Sequence, residues 1–301
     1  VMRIMPRVNE AVNEEWIPDK TRFIWDGLAR QRLDRPYVRK DGKLTPVNWG
    51  EAFEAAKDAL SVAPEKVGVI AGDLIEVEQA KSALDLARAM GVQNTDCRPV
   101  KATYGTDGVR ERYILNPTLQ GVEDADALFL IGTNPRVEAA VWNARIRKAW
   151  LWNDLKVFVV GEASDLTYDY THLGQDASAI HEIGKQHGFE KPMVVVGESA
   201  LLRDDGANVL EAAQDAAIAV GAIKDGWAGF GVLHAAAGRV GAADARRSNC
   251  GRVGTLSPRR VAGDGPFLRY GAQPACRCSA VVARYRRDHR AWPVGRAVCV
   301  G

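Results

Sequence analysis

The chain has 301 residues, 47% of them hydrophobic and 26% charged, and its 40 basic and 38 acidic side chains leave a net charge of +2. That is enough length for one large domain or two ordinary ones, and a charge so near balance gives no argument for wrapping nucleic acid or lying on an anionic membrane. No apolar run approaches the roughly 20 residues needed to cross a bilayer, and the first residues lack the pattern of a secretory leader, so a cytoplasmic or matrix location is expected.

Residues 1–48 hold short apolar pieces between Pro and Gly, with Trp16, Phe23 and Trp25 as anchors. Asp41 and Gly42, between PYVR and LTPV, supply the positive φ angles of a tight turn and predict a hairpin. Asn48 then stands where a helix cap belongs, Glu51 lies in the first turn where the dipole favours an acid, and Trp49, Phe53, Ala56 and Leu60 recur at helical spacing. From there the chain alternates. VGVIAG (67–72) reads as a strand and Val77–Met90 as an amphipathic helix closed by Gly91. ALFLIG (127–132) is the next strand, followed by a helix over 139–153. KVFVVG (156–161) and PMVVVG (192–197) are two more strands, and a helix over about 205–220 follows the second. Strands apolar on both faces and separated by helices predict a doubly wound, mostly parallel α/β domain over residues 49–242, preceded by a small β/loop region over 1–48.

In such sheets ligands gather beyond the carboxyl ends of the strands, and each of these four strands ends in Gly. Gly there either turns the chain or lets a ligand approach. The question is sharpest in LFLIGTNPRVEAAVWNARIRKAW, residues 128–150. Gly132, Thr133, Asn134 and Pro135 before a helix have the shape of a phosphate cradle. On that helix Trp142, Ile146, Ala149 and Asn153 share a face, leaving Arg145, Arg147 and Lys148 either solvated or aimed at an anionic neighbour. The phosphate signal is weak: neither G-x-x-x-x-G-K-[ST] nor G-x-G-x-x-G is present, and the first α/β strand is followed by the acidic DLIEVE. Metal ligation has less support, because Cys97 is alone in the first 240 residues and the histidines have no ligand spacing, while Cys276 and Cys278 stand too close for a zinc or iron–sulfur knuckle. Ser199 in GESAL occupies the place of an elbow nucleophile without the closing Gly or an oriented acid and base. Asp124 and Asp126 read as a solvated turn.

Four stretches carry a resemblance: PRVNEAVNEEWIPDKTRFIWDGLARQRLDRPYVR, GVEDADALFLIGTNPRVEAAVWNARIRKAW, NDLKVFVVGEASDLTYDYTHLG and KPMVVVGESALLRDDGANVL. They closely resemble the family of the largest iron–sulfur subunit of respiratory complex I (NADH:quinone oxidoreductase), with VNEEW, DKTRF, GTNPR and NARIRK in the family's order from Val1 to about Gly241. The resemblance implies a fragment that starts just beyond a ferredoxin-like cluster region and covers part of a molybdopterin-oxidoreductase-like domain. Iron–sulfur clusters are then expected upstream, and no cofactor, metal or catalytic residue within this chain, since one Cys cannot supply a cluster that needs about four ligands. Molybdopterin relatives contact pterin nucleotides through the GTNP turn and bind the metal in a loop that here reads GVQNTDCRPVKATYGTDG. Gly132, Thr133, Asn134, Pro135 and Cys97 are therefore candidates for a vestigial pterin pocket, empty or filled in. Other peripheral-arm subunits are the implied partners, with no nucleic acid and no direct membrane insertion, at the cytoplasmic face of a bacterial inner membrane or the matrix side of the mitochondrial one. Trp142, Trp150 and Trp152 are candidate core or interface anchors, the first two as core. The alternative from another class is a catalytic molybdopterin oxidoreductase such as a formate dehydrogenase α chain.

Residues 243–301 depart from this pattern. They contain no Lys, Glu or Ile, but twelve Arg and four of the five Cys, namely Cys250, Cys276, Cys278 and Cys299. GC-rich coding DNA read out of frame yields such a composition, so this Arg-rich tail is expected to be an out-of-frame product, poorly ordered, rather than a nucleic-acid arm.

Overall fold

The computed structural model describes residues 3–30, 32–97, 109–247 and 297–300. After a short helix α1 (Asp19–Arg22), strands β1 (Tyr37–Lys40) and β2 (Lys43–Pro46) form the expected antiparallel hairpin. Its turn residues Asp41 and Gly42 have φ of 49° and 79°, the left-handed pair that a two-residue connection needs. Helix α2 (Trp49–Leu60) starts where expected, with the Asn48 side chain accepting from the Glu51 N–H at 2.9 Å. Its apolar stripe is covered only at its end, where Leu60 packs against Val67, Ala87 and Val92, whereas Trp49 and Phe53 are each 64% exposed and lie against one another, ring centroids 5.6 Å apart.

Next come β3 (Gly68–Ala71), α3 (Val77–Ala89), β4 (Asn94–Asp96), β5 (Ala127–Ile131), α4 (Pro135–Glu138), α5 (Ala140–Trp152), β6 (Lys156–Val160) and β7 (Thr171–Gly174). The chain continues through β8 (Pro192–Gly197), α6 (Glu198–Leu201), α7 (Gly206–Ala219), the short pair β9 (Ile223–Lys224) and β10 (Trp227–Ala228), then β11 (Phe230–Leu233), α8 (Ala237–Arg247) and β12 (Ala297–Val300). Five strands form one wholly parallel sheet in the order β11-β8-β5-β6-β7. The strand order reverses between β5 and β8, which is the doubly wound arrangement.

Alternation along the central strands explains the two covered faces. Phe129, Ile131, Phe158, Val194 and Val196 pack with Val209, Leu210, Ala213 and Ala217 of α7. Leu128, Leu130, Val157, Val159 and Val195 pack with Trp142, Ile146 and Ala149 of α5 on the opposite face. Trp150 is half-buried against this second cluster and lies 6.5 Å from the Tyr168 ring, whereas Trp152 is 72% exposed.

One expected strand changes place. The strand VGVIAG does not join the main sheet: β3 pairs in parallel with β4 and with β12 in a separate three-stranded sheet, its Ile70 44% exposed. The helix expected over 139–153 is found as α5 (Ala140–Trp152), but the turn Gly132–Asn134 leads first into the single-turn α4, from which Ala139 (φ −141°, ψ 57°) separates it. The boundary expected at residue 243 falls inside α8, where Ala243 and Ala245 are buried and Asp244 receives Arg110 Nε at 3.0 Å and the Tyr113 hydroxyl at 2.7 Å. The remainder of the expected out-of-frame tail, apart from the backbone of β12, lies outside the described residues. Among the described residues, no helix is long and apolar enough to cross a membrane.

Candidate functional site

Beyond the carboxyl ends of β5 and β6 lies a cavity of about 550 Å³, whose lining includes Thr133, Asn134, Glu138, Glu162, Ser199 and Arg203. Gly132 takes φ of 55° so that the chain can leave β5, and its N–H donates to Val160 O at 2.8 Å. The turn therefore has the predicted shape. Two of its donors are already engaged, because the Glu138 carboxylate accepts from the Thr133 hydroxyl at 2.7 Å and from the Asn134 N–H at 3.4 Å. With α4 only four residues long, there is little aligned helix dipole behind those groups. A second acid, Glu162, faces the same space, and the nearby Arg203 guanidinium is committed to Asp205 at 2.7 and 2.9 Å.

At the reversal point between β5 and β8, where a ligand crevice would be expected, the two turns close on one another. Ser199 Oγ donates to Gly132 O at 2.5 Å, which gives the elbow-like Ser a structural partner. A Cβ on Gly197 would stand 2.4 Å from Gly132 O and 2.6 Å from Thr133 Cβ.

The structure brings Gly132, Thr133 and Asn134 to the cavity. Pro135 is buried at the first position of α4. Cys97 lies apart from them, buried beside β4 in a small space of about 30 Å³ lined by Ala71, Ala80, Leu84 and Ala242. The remaining part of its loop, 98–108, is outside the described residues. Among the described residues no group of three or more His, Cys, Asp and Glu is placed to hold a metal. Asp126, read as a solvated turn, instead clips the start of β8 by accepting from the Lys191 N–H at 2.9 Å. Glu138 gives no signal in the sequence because it falls one residue too late for a capping box counted from Asn134.

The basic residues of α5 resolve differently from the turn that precedes them. Arg145 is only 3% exposed, and its guanidinium is shared among the Glu123 carboxylate, the carbonyls of Glu10 and Val12, and Glu14 at 3.6 Å. Lys148 pairs with Glu14 and, at 3.0 Å, with Glu123. Hydrogen bonding from Lys148 holds the Glu14 carboxyl below its ordinary value, and the same bond raises the Lys148 ammonium. Arg147 donates to Thr167 O. Arg145 and Lys148 thus reach acids of this chain.

A family model described as Molybdopterin oxidoreductase matches residues 32–274. One described as NADH-ubiquinone oxidoreductase NDSU1/NuoG-like, 4Fe-4S domain matches residues 1–26, a stretch without Cys. The cluster-domain match therefore reaches into the first residues, whereas the resemblance in the sequence implies a cluster region wholly upstream. The chain is 42% identical over 260 residues to the NADH-ubiquinone oxidoreductase 78 kDa subunit, mitochondrial, of Neurospora crassa, covering 80% of this chain and 34% of that protein. It is 40% identical over 253 residues to an NADH-quinone oxidoreductase subunit of Rickettsia prowazekii, covering 81% and 37% respectively. The chain thus spans little more than a third of the length of these relatives. Among solved structures, acetylene hydratase from Pelobacter acetylenicus superposes with a TM-score of 0.45 at 13% identity, over 80% of this chain and 38% of that one.

Proposed function

Because the chain belongs to the molybdopterin oxidoreductase family, with relatives named as subunits of NADH-quinone and NADH-ubiquinone oxidoreductases, we propose that it is the structural α/β part of such a subunit. In this reading it serves electron transfer from NADH to quinone as a scaffold, packed against other peripheral-arm subunits and attached peripherally to the membrane complex. The observation that carries the reading is the succession of a 4Fe–4S match over 1–26 and a molybdopterin oxidoreductase match over 32–274, at 40–42% identity to such subunits.

The residues at the cavity do not fit the pterin nucleotide that the family name implies. A diphosphate at the turn would meet the negative Glu138 carboxylate, which already takes the Thr133 hydroxyl and the Asn134 N–H, and Cys97 stands away from the turn. A formate dehydrogenase α chain is accordingly not favoured. Expressed in cells lacking their own large subunit, the gene in its natural context should give a chain that co-purifies with the peripheral-arm subunits. Metal analysis of the purified protein should find no stoichiometric molybdenum or tungsten. Stoichiometric metal together with formate-dependent dye reduction would overturn the proposal.

A further inference from the structure

None of the described residues from Arg3 to Leu28 is buried, and Val8, Val12, Trp16 and Phe23 are all exposed. Among the described residues apolar burial is therefore partial here, limited to half-buried side chains such as Ile4, Ile17 and Trp25, and the stretch is closely hydrogen-bonded within itself. Asn9 O accepts from the N–H groups of Val12, Asn13 and Glu14 at 2.8–3.0 Å, and Trp16 N–H donates to Asn13 O at 2.9 Å. What joins the knot to the α/β domain is charge: the buried fork of Arg145 on the Glu10 and Val12 carbonyls, and Lys148 on Glu14, with Glu123 completing a neutral group of four.

Glu14 itself has φ of 51°, a conformation that suits Gly or Asn and gives a Glu no local advantage. A costly backbone held at a contact points to a role for the side chain that is held there. VNEEW and NARIRK, far apart in sequence, thus meet at this place.

We propose that Glu14, seated on Arg145 and Lys148, is the latch that fixes the 4Fe–4S-matching stretch to the face of α5. In the intact subunit it sets where the iron–sulfur module leaves the α/β domain. The second statement rests on the subunit reading above, whereas the latch itself does not.

Amide hydrogen exchange on the full chain tests it, with β8 as the control for global folding. Glu14→Gly relieves the backbone but removes the carboxylate. The latch requires faster exchange at Val12, Asn13, Glu14 and Trp16, by roughly 10- to 100-fold, as expected for losing a charge-assisted hydrogen bond. Glu14→Gln and Lys148→Gln, the latter at a half-buried position that tolerates a neutral amide, should each do the same, and Glu14→Gln/Lys148→Gln should add little to either of these single changes. Unchanged or slower exchange in Glu14→Gly, or effects that multiply in the double variant, would sink the latch. Either result leaves the subunit reading to the co-purification test, so the two can fail separately.

Discussion

Replacing Arg239 by Met should destabilise the chain by about 3–5 kcal/mol in urea-induced unfolding, the range for removing one partner of a buried ion pair. Arg239 is 3% exposed on α8 and bridges two parts of the fold. Its Nε and Nη2 donate to Asp73, just after β3, at 2.8 and 2.6 Å. Nη1 meets the buried Glu198 that follows β8, whose other oxygen accepts from the Ala235 N–H at 2.8 Å. Met would fill much of the volume but leave the Glu198 carboxylate away from water without its cation. Asp73, about one-third exposed, can rehydrate, so the penalty falls on Glu198. The double variant Glu198→Met/Arg239→Met should therefore recover a large part of the loss. A double variant that simply adds the two single effects would show that the pair is not coupled.

Gly197→Ala is expected to cost roughly 1–3 kcal/mol or somewhat more, as overpacking does, although its backbone (φ −78°, ψ 150°) is ordinary for any residue. The methyl group would overlap the Gly132 carbonyl oxygen at 2.4 Å and the Thr133 side chain at 2.6 Å. The oxygen belongs to the neighbouring turn's backbone, so relief means parting the ends of β5 and β8 and losing the Ser199–Gly132 hydrogen bond. The thermal midpoint measures the cost. A midpoint unchanged from the parent chain would mean that the two turns are not in contact in solution.

The features legible in the sequence are those decided within a few residues. Asp41–Gly42 and Asn48 declare their turn and cap because the atoms they bond are local, and LFLI and MVVV declare buried strands because both faces are apolar. Trp49 and Phe53 announce a helix face correctly but cannot say whether anything lies against it. At Gly132–Asn134 the pattern carries the shape of the turn and not its occupant, because Glu138 reaches back from a break in the helix that local propensity does not show. Arg145 is recognisable as lying off the apolar face, yet its partners come from Val12 and Glu10, 133 and 135 residues earlier. The short β7 has a single apolar position and β11 is only four residues long with Gly231 inside it, so neither stands out before the sheet exists, and β3 reads like a member of a sheet it does not join.

The Asp73–Arg239 bridge also orders events in time. Its two ends are 166 residues apart in the chain. At roughly 5–20 residues per second, a ribosome delivers Arg239 on the order of ten seconds or more after Asp73. During that interval the β3–α3–β4 unit emerges without the helix that covers it, and β5, β6 and β8 can pair first. The contacts of α3 with α8 are thus completed only after every strand of the central sheet has been made.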